Sequence, residues 1–351
     1  MNFASDNTAG VAPDILQALS RVNEGYALGY GNDDLTRRVE KRIAEIFEHE
    51  VAVFLVPTGT AANALALAQL APPFGAVFCH AEAHIMTDEC GAPEFFGGGT
   101  KLVGMASDDG KLTAPALQAL LAEYEGHRPH QVVASAVSLT QATEAGTIYR
   151  PDEIAALSAV AHARGMKVHM DGARFANALV RLNASPADVT WRASVDVLSL
   201  GATKGGALAA EAVVFFDPAL ADTMPERRKR GGHLFSKHRF LAAQMDAFLE
   251  GNRWLDLARH ANAMADRLAR RLKDAKVTLA WPVEANLVFA ILPESLNAKL
   301  KAAGASYYVR TGNGLPAGLR REGDVLARLV TSFSTREDDV DRFCDLIGKA
   351  K

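Results

Sequence analysis

The chain has 351 residues, of which 49% are hydrophobic and 23% charged, with a formal net charge of -3. That length is enough for one large core and a second smaller one, and the charge gives no general attraction for nucleic acid or an anionic membrane. Three scattered cysteines (Cys79, Cys90, Cys344) do not make a disulfide framework, and the opening "MNFASDNTAGVAPDIL" lacks the basic and apolar regions of a signal peptide. No stretch approaches the ~20 apolar residues of a membrane span, so the expectation is a soluble cytoplasmic protein.

Strand-like and helix-like segments alternate along the first two thirds. "VAVFLVP" (51–57) reads as an apolar strand and "GTAANALALAQLA" (59–71) as an Ala/Leu-rich helix. Further short apolar runs follow at 76–80, 131–139, 167–170, 195–200 and 211–216. Between two of them, Ile154, Leu157, Val160 and Ala161 recur at helical spacing before Gly165 stops the helix. Repeated strand–helix–strand units with continuous apolar strands predict an α/β fold with a mostly parallel sheet covered on both faces. After about residue 240 the texture changes. A long amphipathic helix (254–275), strands at 285–292 and 328–335 and a final helix (337–347) predict a smaller α+β unit, with a glycine-rich loop at 311–324.

Four polar features stand at the ends of predicted strands, where ligand sites gather in α/β sheets. Lys204, in "DVLSLGATKGG", ends an apolar run among small residues. A neutral lysine amine there attacks a carbonyl to form a Schiff base, whereas a bystander lysine snorkels to the surface. In "VHMDGAR", Asp171 has the posture of an acid entering a cleft, suited to a protonated pyridine nitrogen, or simply of a helix cap. Arg174 offers a fork for a carboxylate. "PTGTAAN" (57–63) places a tight turn before a helix N-terminus, a phosphate cradle that is neither a P-loop nor a dinucleotide fingerprint.

The fourth feature, "CHAEAHIMTDECG" (79–91), carries His80 and His84 with Asp88, Glu89 and Cys90 close behind. Zinc is one reading, but His80 closes a strand and no second ligand cluster completes the set. A flat imidazole stacked on an aromatic cofactor is the better use. Together the four features specify pyridoxal 5'-phosphate: a Schiff-base lysine, an acid, a phosphate cup and a group for the ring face.

The order of "SDN" (5–7), "YGNDD" (30–34), "PTGTAAN", "AHIMTDECG" (83–91), "DGAR" (171–174), "TK" (203–204) and "RLVTSF" (328–333) resembles the threonine aldolases of the fold-type I pyridoxal-phosphate enzymes, over nearly the whole chain. The variants at 88–96, 140–153 and 169–178 resemble the low-specificity threonine and phenylserine branch. The resemblance implies a large cofactor-binding domain at 14–245 and a small domain at 246–351, with residues 1–13 reaching the active site. It implies that Lys204 holds the cofactor, with Asp171 at the ring nitrogen and His84 stacked on the ring. Gly59 and Thr60 would bind phosphate through backbone N–H groups, with Thr203 alongside. Ser5, Arg174 and Arg328 would grip the substrate carboxylate, with Arg174 also binding the cofactor near its phenolic oxygen, and Lys237, from a neighbouring subunit, would reach the phosphate. The implied reaction is retro-aldol cleavage of β-hydroxy-α-amino acids to glycine and an aldehyde, in a homodimer or homotetramer. A β-eliminating lyase or an aminotransferase on the same fold is the nearest alternative. A metal-dependent hydrolase built on His80, His84 and Asp88 is the distant one.

Overall fold

The computed structural model describes residues 1–311, 315 and 318–349. The larger sheet holds β1 (Ala52–Val56), β2 (Gly75–His80), β3 (Lys101–Met105), β4 (Val133–Thr140), β5 (Lys167–Gly172), β6 (Val197–Gly201) and β7 (Glu211–Phe215). Their spatial order is β1-β7-β6-β5-β4-β2-β3. Strands β2 to β6 pair in parallel, and β7 runs antiparallel to both β6 and β1. The reversal follows from the loop: residues 202–210 are too few for the crossover that a parallel neighbour needs. β2 is buried at every position and β7 likewise, as the apolar runs Ala76–Cys79 and Ala212–Phe215 require of strands covered on both faces. The helix Gly59–Leu70 is buried through its middle and rests on the sheet, as its Ala/Leu-rich composition requires.

A smaller antiparallel sheet is formed by β8 (Thr278–Leu279), β9 (Leu287–Pro293), β10 (Tyr308–Arg310) and β11 (Asp324–Val330) in the order β10-β11-β9-β8. The last strand differs from the sequence expectation. It starts earlier, and the stretch after Val330 is a turn, in which Thr335 N donates to Ser332 O and Ser332 N to Thr335 Oγ1. Hydroxyl side chains there compete for the backbone groups that would extend the ladder. β3 and β10 escaped the sequence reading because both are short and partly exposed, so neither makes a continuous apolar run. Of the glycine-rich loop, residues 312–314 and 316–317 lie outside the described residues.

Each sheet has its own core. Phe47, Phe78, Phe175, Phe248 and Trp254 lie in the larger one, and Phe3, Leu268, Leu329 and Phe343 in the smaller. The helix Arg253–Asp274 belongs to both, Trp254 and Ala258 packing on the first core and Met264, Leu268 and Leu272 on the second. The N-terminus joins the smaller unit: Phe3 N donates to Ser306 O, Val330 N donates to Phe3 O, and the Phe3 ring meets Phe343 edge-on at 5.2 Å. Residues 5–8 are thereby delivered to the seam between the sheets. No helix among the described residues is long and apolar enough to cross a membrane.

Candidate active site

The carboxyl ends of β1, β2, β5 and β6 open on one edge of the large sheet, and each supplies a side chain or turn singled out from the sequence. After β1, Thr58 caps the helix Gly59–Leu70 by accepting the Ala61 N–H on its hydroxyl. The amides of Gly59 and Thr60 keep no intrahelical partner, and both residues line a cavity of about 350 Å³. Lys204, Asp171, His84 and Thr203 line the same cavity. Lys204 sits in a turn closed by Gly205 N and Ala207 N, both donating to Ala202 O at 3.0 Å. Gly206 follows with φ +129, a conformation that side-chain-bearing residues rarely adopt. At Gly201 a Cβ would come within 2.7 Å of Ala173 Cα, so only glycine lets the Lys204 turn lie against the Asp171 strand end.

Asp171 is not merely a helix cap. Its Oδ1 accepts the Ala173 N–H at 3.0 Å and its Oδ2 accepts from Asn63 Nδ2 at 3.0 Å. The same Asn63 nitrogen donates to Glu89 Oε1 at 2.9 Å, and that oxygen lies 2.8 Å from His84 Nδ1. His84 is held above the ordinary histidine value by its bond to Glu89, against burial. Burial pushes the Glu89 carboxyl up, while His84 and Asn63 pull it back. Glu211, the first residue of β7, also lines the cavity; its Oε2 accepts the Ala202 N–H at 2.8 Å. Burial drives its carboxyl up to about 7, against the bonds from Thr203 and Ala202 and the charge of Lys204.

A neighbouring cavity of about 310 Å³ shares Asn7, His84 and Lys204 with the first and is lined also by Ser5, Arg174 and Arg328. The two arginines, both buried, have different partners. Arg174 Nε and Nη2 donate to Asp6 Oδ2 and Oδ1 at 2.8 and 3.0 Å, so its fork is already engaged by a carboxylate of the same chain. Burial would raise the Asp6 carboxyl, but Arg174 and Lys204 outweigh it and hold the group below its ordinary value. Arg328 Nη1 makes a long bond to Ala4 O at 3.3 Å, and its Nε is buried with no partner. Burial and the nearby Arg174 charge push Arg328 down to about 10. Two cations side by side, one with an open donor, form an anion pocket.

Ser5 Oγ accepts the Asn7 N–H at 3.1 Å, and Thr203 Oγ1 accepts the Ala210 N–H at 3.2 Å. Lys237 is exposed and does not line the cavity within this chain. The histidines of "CHAEAH" part company: His80 Nδ1 lies 3.1 Å from Glu82 N and its Nε2 lies 3.1 Å from Ser107 N and Oγ, away from the His84–Glu89 pair. No group of three or more His, Cys, Asp or Glu among the described residues converges as metal ligands would. The residues that sequence reasoning missed as members of the site are Asp6, Asn63, Glu89 and Glu211. Each is an unremarkable polar residue until the fold buries it beside the cavity.

A family model described as beta-eliminating lyase matches residues 2–295. The chain belongs to the beta-eliminating lyase family. It is 45% identical to a low specificity L-threonine aldolase of Pseudomonas aeruginosa, over 89% of this chain and 90% of that protein. The fold matches that of a threonine aldolase of Leishmania major with a TM-score of 0.92 at 30% identity, covering 99% of both chains. It also resembles a Sphingomonas wittichii serine palmitoyltransferase at TM-score 0.73 and 16% identity, a likeness of fold alone.

This beta-eliminating lyase family member has the donor set that pyridoxal phosphate requires. The free amides at the start of the helix Gly59–Leu70 suit its phosphate, and Asp171 is an acid that suits a pyridinium nitrogen. Lys204 is the amine in the same cavity, and the His84 imidazole is the flat group there.

Proposed function

We propose that this chain is a pyridoxal-phosphate-dependent aldolase that cleaves β-hydroxy-α-amino acids to glycine and an aldehyde, with L-threonine, L-allo-threonine and L-phenylserine as substrates. The observation that carries the reading is the meeting, at Lys204 and His84, of a cofactor-shaped cavity and an arginine pocket for a carboxylate. The 45% identity to a low specificity L-threonine aldolase supports it.

In this reading Lys204 Nζ would hold the cofactor covalently, and Gly59, Thr60 and Thr203 would bind its phosphate. Asp171 would favour a protonated ring nitrogen, and His84 would cover the ring. Pyridoxal phosphate, when bound, supplies the electron sink for the pair released as the substrate's Cα–Cβ bond breaks. Arg328, through its open Nε, and Arg174, through Nη1, hold the substrate carboxylate with Ser5. Fixing the carboxylate and the amine at two points orients the Cα–Cβ bond for cleavage. The β-hydroxyl proton leaves toward the arginine pocket, where His84 and Glu144 are candidate acceptors with or without an intervening water.

A smaller cavity, sharing Glu144 and Arg310 with the arginine pocket, is walled by Trp281, Phe289 and Leu326. Its volume is about 60 Å³, less than half that of an engineered cavity of about 150 Å³ that takes up benzene. Trp281 and Phe289 meet edge-on at 4.9 Å. The Trp281, Phe289 and Leu326 wall supports an apolar aldehyde half.

We also infer a cytoplasmic homo-oligomer with domains at 14–245 and 246–351, residues 1–13 reaching the site. The two separate cores support the division. Tyr26, Leu28, Tyr30 and Phe235 are exposed, and Tyr30 N donates to Ser236 O at 3.1 Å. The "YGNDD" and Lys237 segments therefore form one surface that a second copy would cover.

The test is absorbance of the purified protein with pyridoxal phosphate, before and after borohydride, followed by product assays. A visible band that reduction bleaches, absent in Lys204→Ala, with glycine and aldehyde formed from threonine and phenylserine, is the expected result. Ammonia and a keto acid in place of glycine would move the assignment to β-elimination. A colourless protein would remove it.

A further inference from the structure

Four side chains from three segments form a continuous hydrogen-bonded chain at the cofactor cavity. Asp171 Oδ2, Asn63 Nδ2, Glu89 Oε1 and His84 Nδ1 follow one another at 3.0, 2.9 and 2.8 Å. Asn63 comes from the helix Gly59–Leu70, Asp171 from β5, and His84 and Glu89 from the short helix His84–Thr87 and the turn after it. Asn63 has two amide hydrogens and directs one to each carboxylate, which lets two acids lie close together without direct contact.

The arrangement is costly for a purely structural one. Glu89 Oε2 and Asn63 Oδ1 are both buried without a partner, and each leaves a desolvated acceptor uncompensated. A core that needed only to fill this space would use apolar side chains. What the buried carboxylate does accomplish is visible at its other end. A carboxylate at Nδ1 selects the imidazole tautomer with Nδ1 protonated, fixes the plane of the ring and steadies its charged form.

We propose that Glu89 is a positioning residue for His84 and that Asn63 holds Glu89 in register with Asp171. The group over the cofactor ring and the acid at its nitrogen are then set by one network. Its consequence for catalysis rests on the cofactor assignment above; the geometry of the network does not. His84 Nε2 is left as the free nitrogen of a ring oriented by its bond to Glu89. The charged groups acting on His84 are Glu89, Asp171 and Glu144, which favour its protonation, and Lys204, which opposes it. Glu89 is the only one of these bonded to the ring. Asp171 acts on both His84 and Glu89, favouring the protonated form of each.

The experiment is a titration of the histidine ring signals by NMR in the full-length protein without cofactor, with His84 assigned by its loss in His84→Asn. In the unaltered protein His84 is expected to titrate above an ordinary histidine. In Glu89→Gln, which keeps the shape, its midpoint should fall by about one pH unit or more. Asn63→Ser should move it the same way by less, because Glu89 loses a donor that steadies its charge. Glu89→Asp should retain the raised midpoint, separating the carboxylate's role from damage to the fold. In the loaded enzyme, Glu89→Gln should lower kcat with little change in KM. Identical His84 titrations in the unaltered and Glu89→Gln proteins would overturn the proposal. Because that comparison is read without cofactor, a failure of the aldolase assignment would leave its outcome untouched.

Discussion

At the strand-end side of the site, Lys204, Asp171, His84 and the Thr58–Thr60 turn all lie at the carboxyl edge of a single sheet, each within a few residues of a strand end. At the arginine side, Arg174 meets Asp6 across 168 residues of sequence, Asn286 meets Asp6 across 280, and Arg328 meets Ala4 across 324. The first side inherits its geometry from strand order, which the parallel sheet enforces. The second is made by docking the N-terminal segment between two separately cored units, and its geometry depends on buried charge.

If that difference is real, the largest effect on stability should come from the arginine side. Asp6 is buried and receives two bonds from Arg174 and a third, at 3.1 Å, from Asn286 Nδ2. Asp6→Ala strands a buried guanidinium and should cost about 3–5 kcal/mol in urea unfolding. Asp6→Asn, which keeps the shape, should cost less. A loss below ~1 kcal/mol for Asp6→Ala would mean that the N-terminal segment is not a structural joint.

At the strand-end side the corresponding effect depends on pH. Glu211 is pushed from 4.5 up to about 7, first by burial. Between those values the folded chain keeps a proton that the unfolded chain has lost. The associated stability is therefore fully present below pH 4.5 and is lost as pH rises through about 7. Glu211→Gln stays neutral throughout. Relative to that variant, the unaltered protein should lose on the order of 3 kcal/mol between about pH 5 and about pH 8. Parallel unfolding curves for the two proteins across that range would show that Glu211 is already ionised.

The same contrast governs what the sequence discloses. Lys204, Asp171 and "PTGTAAN" are legible because each combines a residue type with a strand end, and the parallel sheet brings strand ends together. His84 is legible as a flat polar group, but its partner Glu89 is not, since nothing in "TDECG" says which acid turns inward. Arg174 is legible as a fork, though its occupation by Asp6 is not, because the pairing depends on how residues 1–8 pack against the smaller sheet. The antiparallel β7 is set by loop length, and the early end of β11 by local bonds of Ser332 and Thr335, residue types that a strand pattern also admits. Family resemblance supplied Ser5 and Arg328, which no local pattern marks.

The smallest expected effect divides the two arginines themselves. Arg174 is held by a carboxylate of its own chain, so its orientation is fixed before substrate arrives. Arg328 has a buried Nε without a partner and sits beside another cation, which pushes it down to about 10 together with burial. A substrate carboxylate relieves both conditions at once, so Arg328 is where binding free energy should be gained. Arg328→Lys keeps the charge but loses the planar fork, removing about 1.5–3 kcal/mol of charge-assisted bonding. KM for threonine should rise by roughly 10- to 100-fold, with a smaller change in kcat. If KM is unchanged, Arg174 holds the carboxylate despite Asp6, and the paired arginine rather than the unpaired one is the substrate's anchor.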